Sequence, residues 1–369
     1  MSKVEQVKVA TIGIGLGGAN IAQAFTAKLG GTIGLINSSD QDMSTAGVRE
    51  ANNQCLIQVN GRTSGVGRDR ALSGKAFGIY ASKIAAFIVA KCLEAEAEIV
   101  FVCASSGGGT GSGLIPYIMS LVFTTDFEAR FEGKKLPIFF AVVATPDTNE
   151  GVKSQQNTVE LLRNFNTMIT EKKIGRFLLI SNQFGVHVKQ DGAKYARINE
   201  FSVGLVARYL LNYGSSRQGC LDRADRFVGL DIPGIHAFFT FGDNGNHDSP
   251  FILPEGAHVT SALSEVPEQF IVSEALNRWG LNVGESFKGY YSAQDEMSPI
   301  VHLAGFQNFS KLSERFANQV QLSLARATEA KSVNESQGVG LNAISEVRSS
   351  LAKEYKAGTI SMDDIGSFD

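Results

Sequence analysis

At 369 residues, with 43% hydrophobic and 19% charged side chains, the chain has the composition of a globular protein long enough for two domains. A formal net charge of −3 offers no overall basic field, so direct binding to nucleic acid or to a membrane is not expected, and any tie to DNA would pass through an adaptor protein. Four cysteines without a C-x-x-C pair and five dispersed histidines argue against a disulfide framework and against a side-chain metal site.

The opening "MSKVEQVKVATIG" has no apolar stretch ahead of a cleavage site, and the longest apolar run, "LPIFFAVVATP", is about half of what a bilayer needs. A cytoplasmic protein is expected. Strands are predicted at 7–14, 32–37, 54–59, 99–105, 137–144 and 177–182, with helices between them that include 17–29, 75–93 and 112–122. Several strands are continuously apolar, as strands covered on both faces of a parallel sheet are. The βαβα rhythm therefore predicts a doubly wound α/β domain. Residues 193–214 follow as a long amphipathic helix: Ile198, Phe201, Leu205, Val206, Tyr209, Leu210 and Tyr213 recur every three or four residues, and Gly214 ends it. Beyond it "IHAFFTFG" and "SPIVHLAGF" read as strands and 311–331 as a helix. Leu341, Ile344, Val347, Leu351 and Tyr355 suggest a last helix, and the acidic "ISMDDIGSFD" a mobile tail.

Two glycine-rich turns carry the chemistry. "TIGIGLGGAN" (11–20) fits G-x-G-x-x-G after a strand, which places amides and a helix N-terminus where a phosphate can sit. A dinucleotide-binding protein then needs an acidic residue closing the second strand, but that strand ends "LINSSDQD", with Asn37 and two serines in the expected place. "CASSGGGTGSG" (103–113) is the stronger signal. Consecutive glycines between an apolar strand and a helix beginning near Thr110 let successive amides turn inward around a di- or triphosphate, with Thr110 and Ser112 adding hydroxyl donors. No G-x-x-x-x-G-K-[ST] occurs, and neither loop holds a lysine, so a P-loop NTPase is excluded.

"GGGTGSG" is the tubulin/FtsZ signature, and the chain resembles that superfamily of GTP-dependent filament formers in order over most of its length. "GIGLGGAN" is similar to the first phosphate loop, "NSSDQD" to the second loop and "GRTSGVGRDR" to the loop that senses the γ-phosphate. "TPDTNEG" resembles the ribose loop, "INE" the start of the long central helix, and "CLDRAD" the acidic segment that follows it. The resemblance implies an α/β fold: a doubly wound GTPase domain (1–214, with the central helix at 193–214), a smaller α+β activation domain (215–335), and a C-terminal helix and acidic tail (336–369). It implies that Gly107, Gly108, Gly109, Thr110, Gly111 and Ser112, with Ser106, hold the α- and β-phosphates, helped by Gly15, Leu16, Gly17, Gly18 and Asn20. Gly65 and Gly67 would offer amides to the γ-phosphate. Glu150 would contact the ribose, Asn199 and Asn182 the guanine edge, and Asn37 and Thr145 would line the same site. Asp222 and Asp225 would be catalytic toward the nucleotide of the neighbouring subunit, with Mg²⁺ offsetting the phosphate charge.

Departures from FtsZ stand at Cys220 (commonly Asn), Ser154 (commonly Arg) and Ser39 (commonly acidic), and the FtsZ partner-recruiting peptide is not recognisable. "NSSDQD", "GVGRDR" and "SFKGYYS" look most like the plasmid- and phage-encoded tubulins, TubZ and PhuZ, as does an acidic end with Asp363, Asp364 and Asp369. The expected function is a self-assembling, polymerisation-coupled GTPase that segregates or positions plasmid or phage DNA. The alternatives are an FtsZ-type division scaffold and, from the first turn alone, a dinucleotide oxidoreductase.

Overall fold

Apolar hexamers and octamers buried on both faces build the centre of the molecule. β1 (Val9–Ile14), β2 (Thr32–Asn37), β3 (Gln54–Leu56), β4 (Ile99–Ser105), β5 (Ile138–Thr145) and β6 (Arg176–Ser181) pair in the order 3-2-1-4-5-6, every adjacent pair parallel. The computed structural model describes residues 7–48, 50–148, 150–172, 174–184, 193–211, 230–241, 247–252, 258–263, 290–291, 300–306 and 309–336. The segments 32–37 and 99–105 are β2 and β4 to the residue. β3 is shorter than the predicted 54–59, because Val59 and Arg62 bond each other across a turn.

Helices cover both faces. α1 (Gly15–Leu29) packs against α2 (Asp40–Thr45) and α7 (Lys194–Leu211) in one layer. In the other, α3 (Arg70–Ala95) packs against α4 (Thr110–Leu121), and α4 against α6 (Val152–Thr170); the short α5 (Thr125–Ala129) follows α4. The parallel order with helices on both faces is the doubly wound architecture that the alternating pattern predicts. α3 begins five residues before the predicted 75 because Asp69 caps it, its Oδ1 accepting from the amides of Ala71 and Leu72 at 2.9 and 3.2 Å. By length and composition α3 is the one described helix that could cross a membrane, but Ile84, Ala85, Ile88 and Cys92 are buried in the protein core.

In α7 the residues Ile198, Leu205, Val206, Tyr209 and Leu210 are buried as their spacing predicts. Phe201 is not: it lies at the edge of the stripe, 36% exposed, and stacks on Phe184 with ring centroids 5.3 Å apart.

β7 (Gly234–Phe241) continues the parallel order with a three-residue pairing to β6 and then changes the sheet's character. β11 (Ile300–Phe306) runs antiparallel to β7, β9 (His258–Leu263) antiparallel to β11, β10 (Tyr290–Tyr291) lies on β9, and β8 (His247–Asp248) pairs with β7. The last described element, α8 (Ser310–Ser336), covers the predicted 311–331. The chain divides into two compact units, Met1–Ala317 and Asn318–Asp369; of the second, 318–336 is described and helical. Gly214, the predicted helix near 341–355, the tail and "CLDRAD" lie outside the described residues.

Candidate functional site

In the order 3-2-1-4-5-6, connections leave β1 and β4 in opposite directions. A crevice opens between their carboxyl ends, the place where such sheets receive ligands. Both glycine-rich turns are there. After β1, helix α1 begins at Gly15 with no side-chain cap, and it lies against β4 so closely that a Cβ on Gly18 would overlap the Cys103 carbonyl oxygen. A Cβ on Gly17 would stand 2.7 Å from that of Ser105. Glycine identity at 17 and 18 therefore serves helix–strand packing, and whatever these residues offer a ligand comes through their amides. Asn20, one turn on, is exposed.

After β4 the chain runs through Ser106 to Gly109 and enters α4 at Thr110, again without a side-chain cap. The amides of Gly107, Gly109, Thr110, Gly111 and Ser112 have no acceptor among the described residues. Such a run of unpaired N–H groups at a helix N-terminus is an anion cradle. The hydroxyls around it face the protein instead. Ser106 Oγ donates to the Ala144 carbonyl (3.2 Å) and bonds Thr158 Oγ1 (2.7 Å); Thr110 Oγ1 bonds Ser38 Oγ (2.7 Å); Ser112 Oγ donates to the Gly108 carbonyl. Asn37 Oδ1 accepts from the amides of Ser38 and Ser39 and so shapes the turn after β2, where a dinucleotide site would hold a carboxylate.

The loop between β3 and α3 closes over this cradle. Gly65 donates its amide to the Ser38 carbonyl at 2.9 Å, so that amide is engaged within the protein. A Cβ on Gly109 would stand 2.8 Å from Arg68 Cα, which leaves no room for a side chain between the two loops. Asn157, from α6 and 1% exposed, fastens them: its Nδ2 lies 3.0 Å from Arg68 O, 3.2 Å from Gly107 O and 3.3 Å from Gly108 O. Three carbonyls turned toward one amide turn the intervening N–H groups the other way. Ser154, on the same helix, packs on Gly107.

A second cluster lies at the ends of β5 and β6. Thr145 Oγ1 donates to the Ile180 carbonyl (3.2 Å). Glu150 Oε1 accepts from the Asp147 amide (3.1 Å), Tyr195 Oη (3.4 Å) and Asn182 Nδ2 (3.5 Å). Lys194 and Asp147, both 8% exposed, form a buried ion pair at 2.6 Å. Burial, with the charges of Glu150 and Asp147 beside it, pushes the Tyr195 phenol up to about 12. One helical turn beyond Tyr195, Asn199 is buried, and its Oδ1 has no hydrogen-bond partner among the described residues. A buried unpaired acceptor costs about 1–3 kcal/mol unless something donates to it.

Of the residues predicted from the sequence, the structure gathers the β4–α4 loop, the turn after β2 and the Gly65–Arg68 segment by direct contact, and separately Glu150 with Asn182. Asp222 and Asp225 lie outside the described residues. Among the described residues no three His, Cys, Asp or Glu side chains gather as a metal site. Asn157 and the Lys194–Asp147 pair escaped the sequence reading, since isolated polar residues near a helix start or a strand end form no pattern.

No family model matches the chain. The TubZ protein of Bacillus cereus is 23% identical over 184 residues, 48% of this chain and 39% of that protein, so the match spans well under half of the relative's length. The phage c-st TubZ of Clostridium botulinum superposes with a TM-score of 0.65 at 18% identity, over 87% of this chain and 100% of that one. CetZ2 of Haloferax volcanii, a GTPγS-bound protofilament, superposes at 0.63 and 20% identity over 86% and 99%. The chain thus has the tubulin fold in the form that TubZ and CetZ share, and it resembles TubZ.

Proposed function

We propose that the chain is a GTP-dependent, filament-forming GTPase with hydrolysis coupled to polymerisation, whose filaments segregate or position plasmid or phage DNA. The run of unpaired amides between Gly107 and Ser112 carries the nucleotide part of this reading: it solvates phosphate oxygens without requiring a lysine. The unpaired Oδ1 of Asn199 favours guanine, whose N1–H and 2-amino group present two donors on one edge. Glu150 and Asn182 would complete the nucleoside contacts. The likeness to a GTPγS-bound protofilament supports assembly as the companion of binding.

Asp222 and Asp225 follow α7 in the chain. In this reading they act on the neighbouring subunit's nucleotide, one carboxylate polarising the water that attacks the γ-phosphorus as the bond to the β-phosphate oxygen breaks. Mg²⁺ carried by the nucleotide would offset charge, with ligands drawn largely from phosphates and water. The 1–214, 215–335 and 336–369 division belongs to the same reading, as do a DNA-bound adaptor, a cytoplasmic filament without membrane contact and an acidic tail that touches the next subunit.

Sedimentation with GTP, GDP and GTPγS, alongside phosphate release measured against protein concentration, tests it. Pelleting should require a triphosphate, and release should rise more steeply than linearly above a threshold and be lost in Asp225→Ala. Specific activity that is independent of concentration and survives Asp225→Ala would overturn the reading.

A further inference from the structure

A nucleoside triphosphate carries several negative charges into its site, and backbone amides solvate them without neutralising them. Neither glycine loop contains a lysine. Two basic side chains on the helices around it, Arg70 and Lys194, are engaged elsewhere. Arg70, its side chain 10% exposed, donates from Nε and Nη2 to the Ser112 carbonyl at 3.2 and 3.1 Å and pairs through Nη1 with Glu160 at 2.7 Å. Lys194 is held by Asp147.

Arg68 differs from both. Its backbone is pinned while its side chain is not. It is a non-glycine residue at φ +67, a left-handed conformation that a side chain disfavours and that persists only where the surroundings over-determine it. Those surroundings are the contact of its Cα with Gly109 and the bond from Asn157 Nδ2 to its carbonyl. The guanidinium makes no ion pair or hydrogen bond among the described residues. Its Nη1 comes within 3.9 Å of where a Cβ on Gly151 would stand, at the N-terminus of α6 and next to Glu150. The side chain therefore starts beside Gly109, in the cradle, and ends beside Gly151.

We propose that Arg68 is the cation that neutralises the terminal phosphates of the guanine nucleotide bound by its own subunit, presented to them by the Asn157 clasp. This rests on the reading of the crevice as a guanine-nucleotide site. A planar guanidinium can bridge two phosphate oxygens, which a lysine at the same position would do only as a point charge. The strained backbone and the buried amide that holds it then act together to fix where an otherwise unpaired arginine emerges. Ser154, packed on Gly107 from the facing helix, is too short to supply the charge from that side.

The test is displacement of a fluorescent guanine nucleotide from the full-length protein by GDP and by GTPγS, below the concentration at which it assembles. In Arg68→Ala, affinity for GTPγS should fall by about 10- to 100-fold, with a smaller loss for GDP, and Arg68→Lys should recover part of the difference. Asn157→Ala, which releases the Arg68 carbonyl together with those of Gly107 and Gly108, should weaken both nucleotides and narrow the GTPγS-over-GDP preference in the same direction. General damage to the site would weaken both nucleotides alike, with no rescue by lysine. If wild-type protein binds guanine nucleotides and Arg68→Ala keeps the wild-type preference, this inference falls and the proposed function stands. If wild-type protein binds neither nucleotide, both fall.

Discussion

A methyl group added at Gly18 and one added at Gly108 meet opposite surroundings. At Gly18 it would overlap the Cys103 carbonyl and stand 3.0 Å from Ala104 Cα, atoms of a central strand that cannot yield. At Gly108 its nearest neighbour is the Ser105 carbonyl oxygen at 3.9 Å, an ordinary contact. Gly18→Ala should therefore destabilise the protein by about 3 kcal/mol or more, by prising α1 from β4. Gly108→Ala should unfold within about 0.5 kcal/mol of wild type yet bind guanine nucleotide about tenfold more weakly, because the methyl projects beside the cradle. Denaturant titration and nucleotide binding on the two variants separate packing from recognition; equal stability losses would remove the distinction. The glycine run was legible in the sequence because a strand, several glycines and a helix in succession leave few conformations. Asn157 was not: its role depends on carbonyls at 68, 107 and 108 converging on one amide, and nothing local to residue 157 announces that.

Among the elements, β7 and β11 enclose an unusual pair. His236 and His302 are fully buried, with Nδ1 of the first 2.9 Å from Nε2 of the second, and their rings lie against Phe140, Tyr209 and Phe238. His236 Nε2 bonds the Ile232 carbonyl at 2.7 Å. Burial pushes His236 down to about 3, and burial together with His236 itself holds His302 well below the usual imidazole range. Both rings stay neutral in the folded protein, whereas the unfolded chain takes up protons below about pH 6.5. Stability should be full above that pH and fall as pH drops from there toward 3, with a limiting slope of about 1.4 kcal/mol per pH unit for each ring kept neutral. Urea midpoints measured from neutral pH downward should show this slope, and His302→Gln should roughly halve it; an unchanged slope in the variant would refute the assignment.

The dispersed histidines gave no hint of this pairing, since 66 residues separate partners joined only by strand register. Continuously apolar strands were easy to read. α6 was not, because its first turns bury Ser154, Gln155, Asn157 and Thr158 where an amphipathic pattern would place apolar residues. That polar start is what grips the cradle.

On the scale of the whole molecule, loops from β1, β2 and β4 and the segment before α3 converge on one crevice, with the β5–β6 cluster beside it, so a ligand there should stabilise the fold it ties together. GDP at about a hundred times its dissociation constant should add about 2.7 kcal/mol and raise the melting temperature by a few degrees, while NAD should leave it unchanged. Thermal melts with each compound check this, and a shift with NAD but not GDP would return the first glycine turn to its dinucleotide reading.

The strand order has a consequence for how the protein is made. β1 ends at Ile14, and the neighbour on its far side, β4, begins only at Ile99. At about 5–20 residues per second of synthesis, the apolar β1 spends roughly 4 to 17 seconds outside the ribosome with one edge unpaired. Until β4 is delivered the emerging chain is an adhesive half-sheet, and the same two strands whose ends form the crevice decide whether the newborn protein reaches its native topology or sticks to a neighbour.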